Sequence, residues 1–245
     1  MTERPADPKV SVVTVCRNAL QALQLTAASV RAQRYGDMEY IVVDGGSTDG
    51  TREYLESTGI ADTYVSEPDG GIYDAMNKGG RLARGEWVIF MNAADSFADP
   101  EALAGAMKAA DADADVVYGS VIRQQNDGSE RLVEAGEARS GHRMFYCHQS
   151  ALVRREWLLR FPFDTRHALS ADFKQVKQML AAGARFRRTD IPVARFDTGG
   201  ISTRRRSEGL ADNMRVVAET DGLLRGLPHI LHLLPTYLLC RLRGR

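Results

Sequence analysis

Apolar and polar positions along the first half of the chain fall into blocks of two kinds. Short runs rich in β-branched residues read as buried strands at 10–15, 40–43, 61–66, 86–91 and 115–121. Between them lie stretches with an apolar face at helical spacing, at 20–33, 51–58, 72–82 and 100–110. Gly59 stands where a helix stop belongs, and Pro100 occupies a first helical turn. Strand and helix in regular succession predict an α/β domain: an open, mostly parallel sheet with helices on both faces. After Ile122 the pattern loosens. A hairpin-like turn at 124–129 and a polar loop at 136–141 precede helical segments at 157–160 and 172–182. With no internal repeat or low-complexity linker, the pattern predicts one domain over 1–220 and a C-terminal helical tail over 221–245.

Composition narrows the partners. The 245 residues carry 32 Lys+Arg and 32 Asp+Glu, so no global positive field favours nucleic acid. The balance is uneven along the chain, with acids gathered early and arginines after Arg185. Cys16, Cys147 and Cys240 lie far apart without metal-type spacing, which argues for a reducing compartment and against a zinc site. Residues 1–9 are polar, with no apolar segment of a secretory leader, and no run is apolar enough to span a bilayer. The expected location is cytoplasmic.

The most informative stretch is Asp44-Gly45-Gly46-Ser47-Thr48-Asp49-Gly50-Thr51, which follows an apolar run. In open α/β sheets, ligands bind beyond the carboxyl ends of the strands, and Asp44 sits at such an end. The glycines permit close backbone approach. The competing reading is a tight turn in which Asp49 or Thr48 caps the next helix. Two further strand ends carry polar groups, Cys16-Arg17-Asn18 and Asn92-Ala93-Ala94-Asp95. In a parallel sheet the three converge on one edge. Two carboxylates and two amides there suit a nucleotide with a divalent cation, since Mg²⁺ commonly binds through one or two carboxylates plus phosphate oxygens. A cap on the helix at Pro100, or a solvated turn, is the other reading of Asp95.

The run from Ser11 to Asp95 resembles a family 2, A-type (GT-A) glycosyltransferase. More narrowly it is similar to bacterial exopolysaccharide enzymes resembling colanic acid glycosyltransferases. Four ordered motifs carry the resemblance: Ser11 to Asn18, Ile41 to Thr51, Ser66 to Gly79 and Gly85 to Asp95. It continues more weakly through Cys147-His148-Gln149-Ser150 and Ser170-Ala171-Asp172-Phe173. The resemblance implies a Rossmann-type GT-A sheet, a nucleotide-sugar donor, and Mg²⁺ or Mn²⁺ as cofactor. It implies that Asp44 receives the base or ribose, and that Val15 and Arg17 line the base pocket. Asp74 and Lys78 approach the diphosphate and sugar, with Asn92 in the following motif. Asp95 holds the metal, Asp172 is the base of an inverting reaction, and His148 lies near sugar and acceptor. Many members carry an Asp-x-Asp-Asp run where this chain has Asn92-Ala93-Ala94-Asp95, so only the last acid is kept.

The residues alone leave alternatives. Asp172 reads equally as a first-turn acid stabilised by its helix dipole, and His148 as a structural histidine beside Phe145 and Tyr146. The 67–71 segment is a loop or a mobile lid. Arg204-Arg205-Arg206 could grip a diphosphate or be a solvated loop. The Leu-rich tail, with Arg225, Arg241, Arg243 and Arg245, suits a helix lying in a membrane interface, interrupted at Pro228 and Pro235. A saccharide or polyprenyl-linked acceptor on the inner face of the cell membrane would suit such a tail, giving a peripheral enzyme of cell-surface polysaccharide or glycolipid synthesis. Against the transferase stand a nucleotidyltransferase, which would open with a Gly-rich basic loop that Cys16-Arg17-Asn18-Ala19 does not supply, and a non-catalytic sugar-nucleotide or lipid-binding module.

Overall fold

The structure is a computed structural model and describes residues 7–111, 113–125, 127–197 and 205–243. Residues 198–204, which include Arg204, lie outside the described residues. The first half winds as expected. Strand β1 (Val10–Cys16) leads to α1 (Leu20–Arg31), β2 (Met38–Asp44) to α2 (Thr51–Thr58), and β3 (Thr63–Ser66) to α3 (Ile72–Leu82). Strand β4 (Trp87–Phe90), the two-residue β5 (Ser96–Phe97) and α4 (Ala102–Met107) follow. Then come β6 (Val116–Gln124), β7 (Glu130–Val133), β8 (Ala151–Arg154), α5 (Arg155–Arg160), α6 (Ala171–Ala181), β9 (Phe186–Asp197) and α7 (Arg206–Leu242).

The described strands form one nine-stranded sheet in the order β3-β2-β1-β4-β8-β6-β9-β5, with β7 on β6. The β3-β2-β1-β4 portion is parallel throughout. Strand β8 then enters antiparallel between β4 and β6, and β9 returns parallel to β6. The nearly continuous burial of β1, β2 and β4 follows from cover on both faces. One face packs Val10, Val12, Tyr40 and Trp87 with Leu23 and Leu55 of α1 and α2. The other packs Val13, Ile41 and Phe90 with Met76 of α3 and Val176 and Met179 of α6.

Several expectations shift. The helix expected over 100–110 shortens to Ala102–Met107, because Asp99 Oδ1 accepts the Glu101 N–H at 2.7 Å and holds residues 99–101 as a turn. Strands β5, β8 and β9 had no clear signal. Strand β8 runs straight into α5 without turn residues, and β9 reads as mixed charge. Pro192 sits in β9 where the β6 register is irregular, which is where a residue without an N–H is tolerated. The tail is helical, as expected, but Pro228 and Pro235 do not interrupt it. They lie inside α7, and the break falls at Gly222, with φ 73° and ψ 167°. A proline removes one N–H bond from a helix, whereas a glycine at positive φ turns the chain out of it.

Adjacent glycines in α3 give a test of the α3–β1 contact. A Cβ on Gly79 would overlap Val13 Cγ1, while one on Gly80 meets nothing within 4 Å. Gly80→Ala should therefore stabilise the protein by up to about 1 kcal/mol through helix propensity, and Gly79→Ala should destabilise it through overpacking by about 1–3 kcal/mol. Urea unfolding of the two variants checks the opposite signs.

Candidate functional site

Parallel register gathers the site. Cys16 is in register with Asp44, and Asp44 with Ser66, so β1, β2 and β3 end at one edge. Asp44 is fully buried. Its carboxylate accepts the Ser47 N–H at 3.1 Å, the Ser66 hydroxyl at 2.7 Å and the Ser47 hydroxyl. Asp44 thus shapes the turn from within. Burial first, and Asp44 second, push the Cys16 thiol up to about 12. Asn18, at φ 48°, accepts the Thr48 N–H at 2.9 Å through Oδ1. Asp49 accepts the Thr51 hydroxyl at 2.6 Å and the Leu20 N–H at 2.9 Å, while the N-cap of α2 is Gly50, with no side-chain cap bond. These bonds fix the first strand end to the second.

Val15 is buried, and its carbonyl accepts the Ala93 N–H at 3.2 Å. Arg17 is exposed and has no carboxylate in ion-pair range among the described residues, so its guanidinium is available to an anion. Asp69 was missed by the sequence reading. A Cβ on Gly45 would overlap its Oδ2 and lie 3.3 Å from Arg17 Cβ, so the Asp69 carboxylate reaches across the turn through a gap that only glycine leaves. Asp74, in the first turn of α3, accepts the Gly70 N–H at 3.0 Å. Lys78 holds the same loop from below, 2.9 Å from Glu67 and 3.1 Å from the Pro68 carbonyl oxygen. Asp74 and Lys78 therefore order the 67–71 segment.

The β4 end and the second half meet because β8 is antiparallel to β4. Its beginning lies beside the end of β4, with Ile89 opposite Leu152. The short 3-10 turn His148–Ser150 that precedes β8 is thereby brought to Asn92. Asn92 Nδ2 lies 3.2 Å from His148 Nε2, and His148 Nδ1 lies 3.7 Å from Asp172 Oδ2. The second distance is too long for a hydrogen bond. Asp172 stands in the first turn of α6 and accepts the Tyr73 hydroxyl at 2.9 Å and the Phe173 N–H at 2.8 Å. Burial would raise the Asp172 carboxyl, but His148, Tyr73 and the Phe173 N–H outweigh it and hold it below its ordinary value. Burial would lower His148, but Asp172 and then Asp95 outweigh it and raise it. Tyr73, pushed well above its ordinary value by burial and then by Asp172, stays a proton donor. Only the pairing of α3 with α6 reveals Tyr73, and no local sequence signal marks it.

Asp95 follows Ala94, held at φ 81°, a strained conformation for a residue with a Cβ. Thr26 of α1 fixes this turn: its hydroxyl donates to the Asp95 carbonyl at 2.7 Å and accepts the Ala94 N–H at 3.1 Å. Burial raises the Asp95 carboxyl to about 6 against the opposing pull of His148 and Gln149. Asn92 Oδ1 is buried without a partner. A carboxylate raised by burial and an unpartnered amide oxygen are donors of the hard-oxygen kind that Mg²⁺ or Mn²⁺ takes, so the residues fit such an ion. The other convergent group, Asp164, His167 and Glu219, already surrounds an ammonium. Lys174 Nζ lies 2.7 Å from Asp164 and 3.3 Å from His167 Nε2, and also pairs with Glu219.

Residues 11–165 match Glycosyl transferase family 2, and the chain belongs to that family. It is 49% identical over 104 residues to an uncharacterized glycosyltransferase of Mycobacterium tuberculosis, a match covering 42% of this chain and 40% of that relative. It is 31% identical over 179 residues to a PGL/p-HBAD biosynthesis glycosyltransferase of Mycobacterium bovis, covering 69% and 68% of the two. Among solved structures it resembles a mannosyltransferase of Pyrobaculum calidifontis, in complex with GDP-Man and Mn²⁺. The TM-score is 0.65 at 20% identity, over 98% of this chain and 77% of that one. At that identity the likeness shows the fold alone, which is GT-A.

The raised Asp95 carboxyl gives a pH test in metal-free buffer. Its folded value lies above the ordinary 3.8, so ionising it costs the folded state stability. That cost is absent below pH 3.8, where both states are protonated, and complete above about pH 6. Asp95→Asn should melt a few degrees higher than the parent at pH 8, with the gap closing by pH 4. Equal melting at pH 8 would show that the carboxylate carries no such penalty.

Proposed function

We propose that the protein is an inverting, metal-dependent transferase that moves a hexose from a nucleotide-diphosphate sugar to a saccharide hydroxyl. The acceptor is lipid-linked, in cell-surface polysaccharide or glycolipid synthesis. The observation that carries this reading is the Tyr73–Asp172–His148 arrangement beside Asn92 and Asp95, at the carboxyl edge of the parallel strands. Asp44 would receive the base or ribose, with Val15 and Arg17 lining that pocket and Asp69 beside the turn. Asn92, Asp74 and Lys78 border the diphosphate and sugar. Asp95, with the buried oxygen of Asn92, would hold Mg²⁺ or Mn²⁺, which offsets the charge of the departing diphosphate when bound.

Asp172 would take the proton of the attacking hydroxyl. The new bond from that oxygen to the anomeric carbon forms as the bond to the diphosphate breaks, and the nucleoside diphosphate leaves with the electron pair. One base on the face opposite the leaving group gives inversion, by the geometry that governs inverting glycoside hydrolysis. The hydrogen bonds from Tyr73 and the Phe173 N–H, with His148 beside them, keep Asp172 ionised and aimed. The mycobacterial relative named for PGL/p-HBAD biosynthesis supports glycosyl transfer, and the GDP-Man and Mn²⁺ of the structural neighbour support the donor class and the ion.

The domain boundary proposed at 220/221 adjoins the Gly222 break. Beyond it Leu224, Leu227, Leu231, Leu234, Leu238 and Leu242 recur every three or four residues, all exposed. With Arg225, Arg241 and Arg243 they suit a helix lying in an anionic interface, and among the described residues no helix is long and apolar enough to cross a membrane. Leu231→Glu should lower the fraction that sediments with phosphatidylglycerol vesicles; undiminished sedimentation would remove the tail from the contact.

The direct test is Asp172→Asn. The variant should keep the thermal shift that the matching nucleotide and Mn²⁺ produce and lose transfer by at least about 100-fold. Retained turnover would exclude Asp172 as base. Tyr73→Phe removes a donor that holds the Asp172 carboxyl down, so the acid limb of its kcat/KM profile should move to higher pH. An unmoved limb would separate Tyr73 from the base.

A further inference from the structure

Tyr73 and Asp172 meet across two helices that come from opposite halves of the chain. Among the described residues, theirs is the only side-chain hydrogen bond that joins α3 directly to α6. The two helices also share an apolar cluster, with Met76 from one and Val176 and Met179 from the other. Apolar contact is non-directional, whereas a hydroxyl must point at its carboxylate within narrow limits of distance and angle. A directional link between α3 and α6 has to supply that precision.

The 161–164 segment, between α5 and α6, is bonded to both helices. On the α3 side, Asn77 Nδ2 donates to the Phe163 carbonyl oxygen at 2.8 Å, and Asn77 Oδ1 accepts the Phe163 N–H at 2.9 Å. On the α6 side, Gln175 Nε2 donates to the Phe161 carbonyl oxygen at 2.6 Å, and Lys174 Nζ donates to Asp164 Oδ2 at 2.7 Å. Asn77 stands one turn after Tyr73, and Lys174 and Gln175 lie within one turn of Asp172. The segment is therefore a strap that grips each helix beside the residue it presents.

A side-chain amide carries both a donor and an acceptor. Asn77 uses them on the two backbone groups of a single residue, as a neighbouring strand would, and Phe163 can neither slide nor turn. The buried Phe163 ring is thereby set 5.4 Å from the Tyr73 ring, tilted by 31°, and 5.5 Å from the Phe90 ring, edge-on at 70°. Phe90 ends β4, two residues before Asn92. Packing does not close the rest of the surroundings. Phe163 lines a cavity of about 160 Å³ with Met76, Gly80, Leu158 and Pro162. A ring beside a cavity has room to shift, so the two amide bonds are what keep it against Tyr73.

We infer that Asn77 is a positioning residue for the proposed transfer: through the Phe163 backbone and ring it sets the Tyr73 hydroxyl on the Asp172 carboxylate. The inference rests on the transferase reading for the role of Asp172, and it adds a residue that acts from behind the base. Asn77 shares this helix face with Tyr73 by its spacing of four, while Asp74 and Lys78 bind the 67–71 loop. Helix α3 thus serves the donor loop with one set of side chains and the base with another.

The test uses the full chain as Asn77→Ala, Tyr73→Phe and the double variant, with two readouts. Carbon-13 NMR follows the Asp172 carboxyl, identified by its loss in Asp172→Asn, and does not depend on transfer. Tyr73 is one of the groups that hold this carboxyl down, so its midpoint should shift upward in both single variants. The double variant should shift no further than Tyr73→Phe, because residues acting through one contact are not additive. His148, Tyr146 and Cys147 also face the carboxylate and are the same in all three variants. In turnover, Asn77→Ala should lose about tenfold to 100-fold in kcat, the effect of a misplaced catalytic group, with the donor KM and the nucleotide thermal shift kept. An Asp172 midpoint unmoved in Asn77→Ala, or a double variant that shifts by the sum of the two, would overturn the inference. If Asn77→Ala loses the thermal shift through misfolding, Phe163→Leu decides, since it keeps the strap bonds and removes the ring: an upward midpoint supports the inference and an unmoved one overturns it. Transfer kept in Asp172→Asn refutes the base assignment instead, a result the midpoints do not touch.

Discussion

The antiparallel pairing of β8 with β4 is the contact on which the rest depends. Three rungs, Trp87 with Arg154, Val88 with Val153 and Ile89 with Leu152, join the parallel half to the remainder of the sheet. A parallel strand in that position would start at the opposite edge and carry His148 away from Asn92. Running the other way, β8 begins where β4 ends. Asn92, His148 and Asp172 then fall in sequence across the seam. Two of the rungs, Val88 with Val153 and Ile89 with Leu152, are apolar and buried, so register is set by burial on both faces: a slip of one residue would move Leu152 off the face it shares with Leu103 and Val117. The Arg154 guanidinium, 4.5 Å over the Trp87 ring and bonded to the Ala114 carbonyl oxygen at 2.6 Å, closes the far end of the same seam.

The site that this seam creates works by unequal treatment of two acids. Asp172 receives a hydroxyl, a backbone N–H and a neighbouring imidazole, and is held ionised. Asp95 is half-buried with less to offset its desolvation and rises to about 6. Environments that push two carboxyls apart separate their roles. In the proposed reaction the low one would accept the proton, and the high one would gain most from a divalent ion. The strained Ala94 belongs to the same economy of position, since the Thr26 hydroxyl bonds both sides of it and keeps Asp95 on a short turn from β4.

The sequence made the parallel half legible because each strand there is covered on both faces and therefore reads as an unbroken β-branched run. The helices between are bounded by Gly and Pro. Burial was a sufficient guide, and it located the strand ends where Asp44 and Asp95 stand. It failed where structure depends on partners distant in sequence. Strand β9 alternates Arg, Thr and Asp with apolar residues and is legible only once β6 is beside it. Strand β5 is two residues long. Tyr73 looks like an ordinary helix residue until α6 supplies Asp172, and Asp69 like a turn acid until Gly45 leaves it room. The same limit applies to Asp44. Its position was readable, but its commitment to Ser47 and Ser66 was not, because Ser66 arrives on a separate strand.

The C-terminal helix shows how one local choice serves two surfaces. Glycine at 222 turns the chain, and the segment beyond it starts at a new angle. Positions 226, 229, 230, 233 and 237 then return to the body with helical period, and the leucines occupy the complementary stripe. Neither stripe would have a fixed partner if the turn were loose. It is not loose, because Lys177 holds Asp221 with the same ammonium that holds the 140–141 backbone. The apolar stripe and the 140–141 loop are therefore set relative to one another by a single buried side chain on the helix whose first turn carries Asp172.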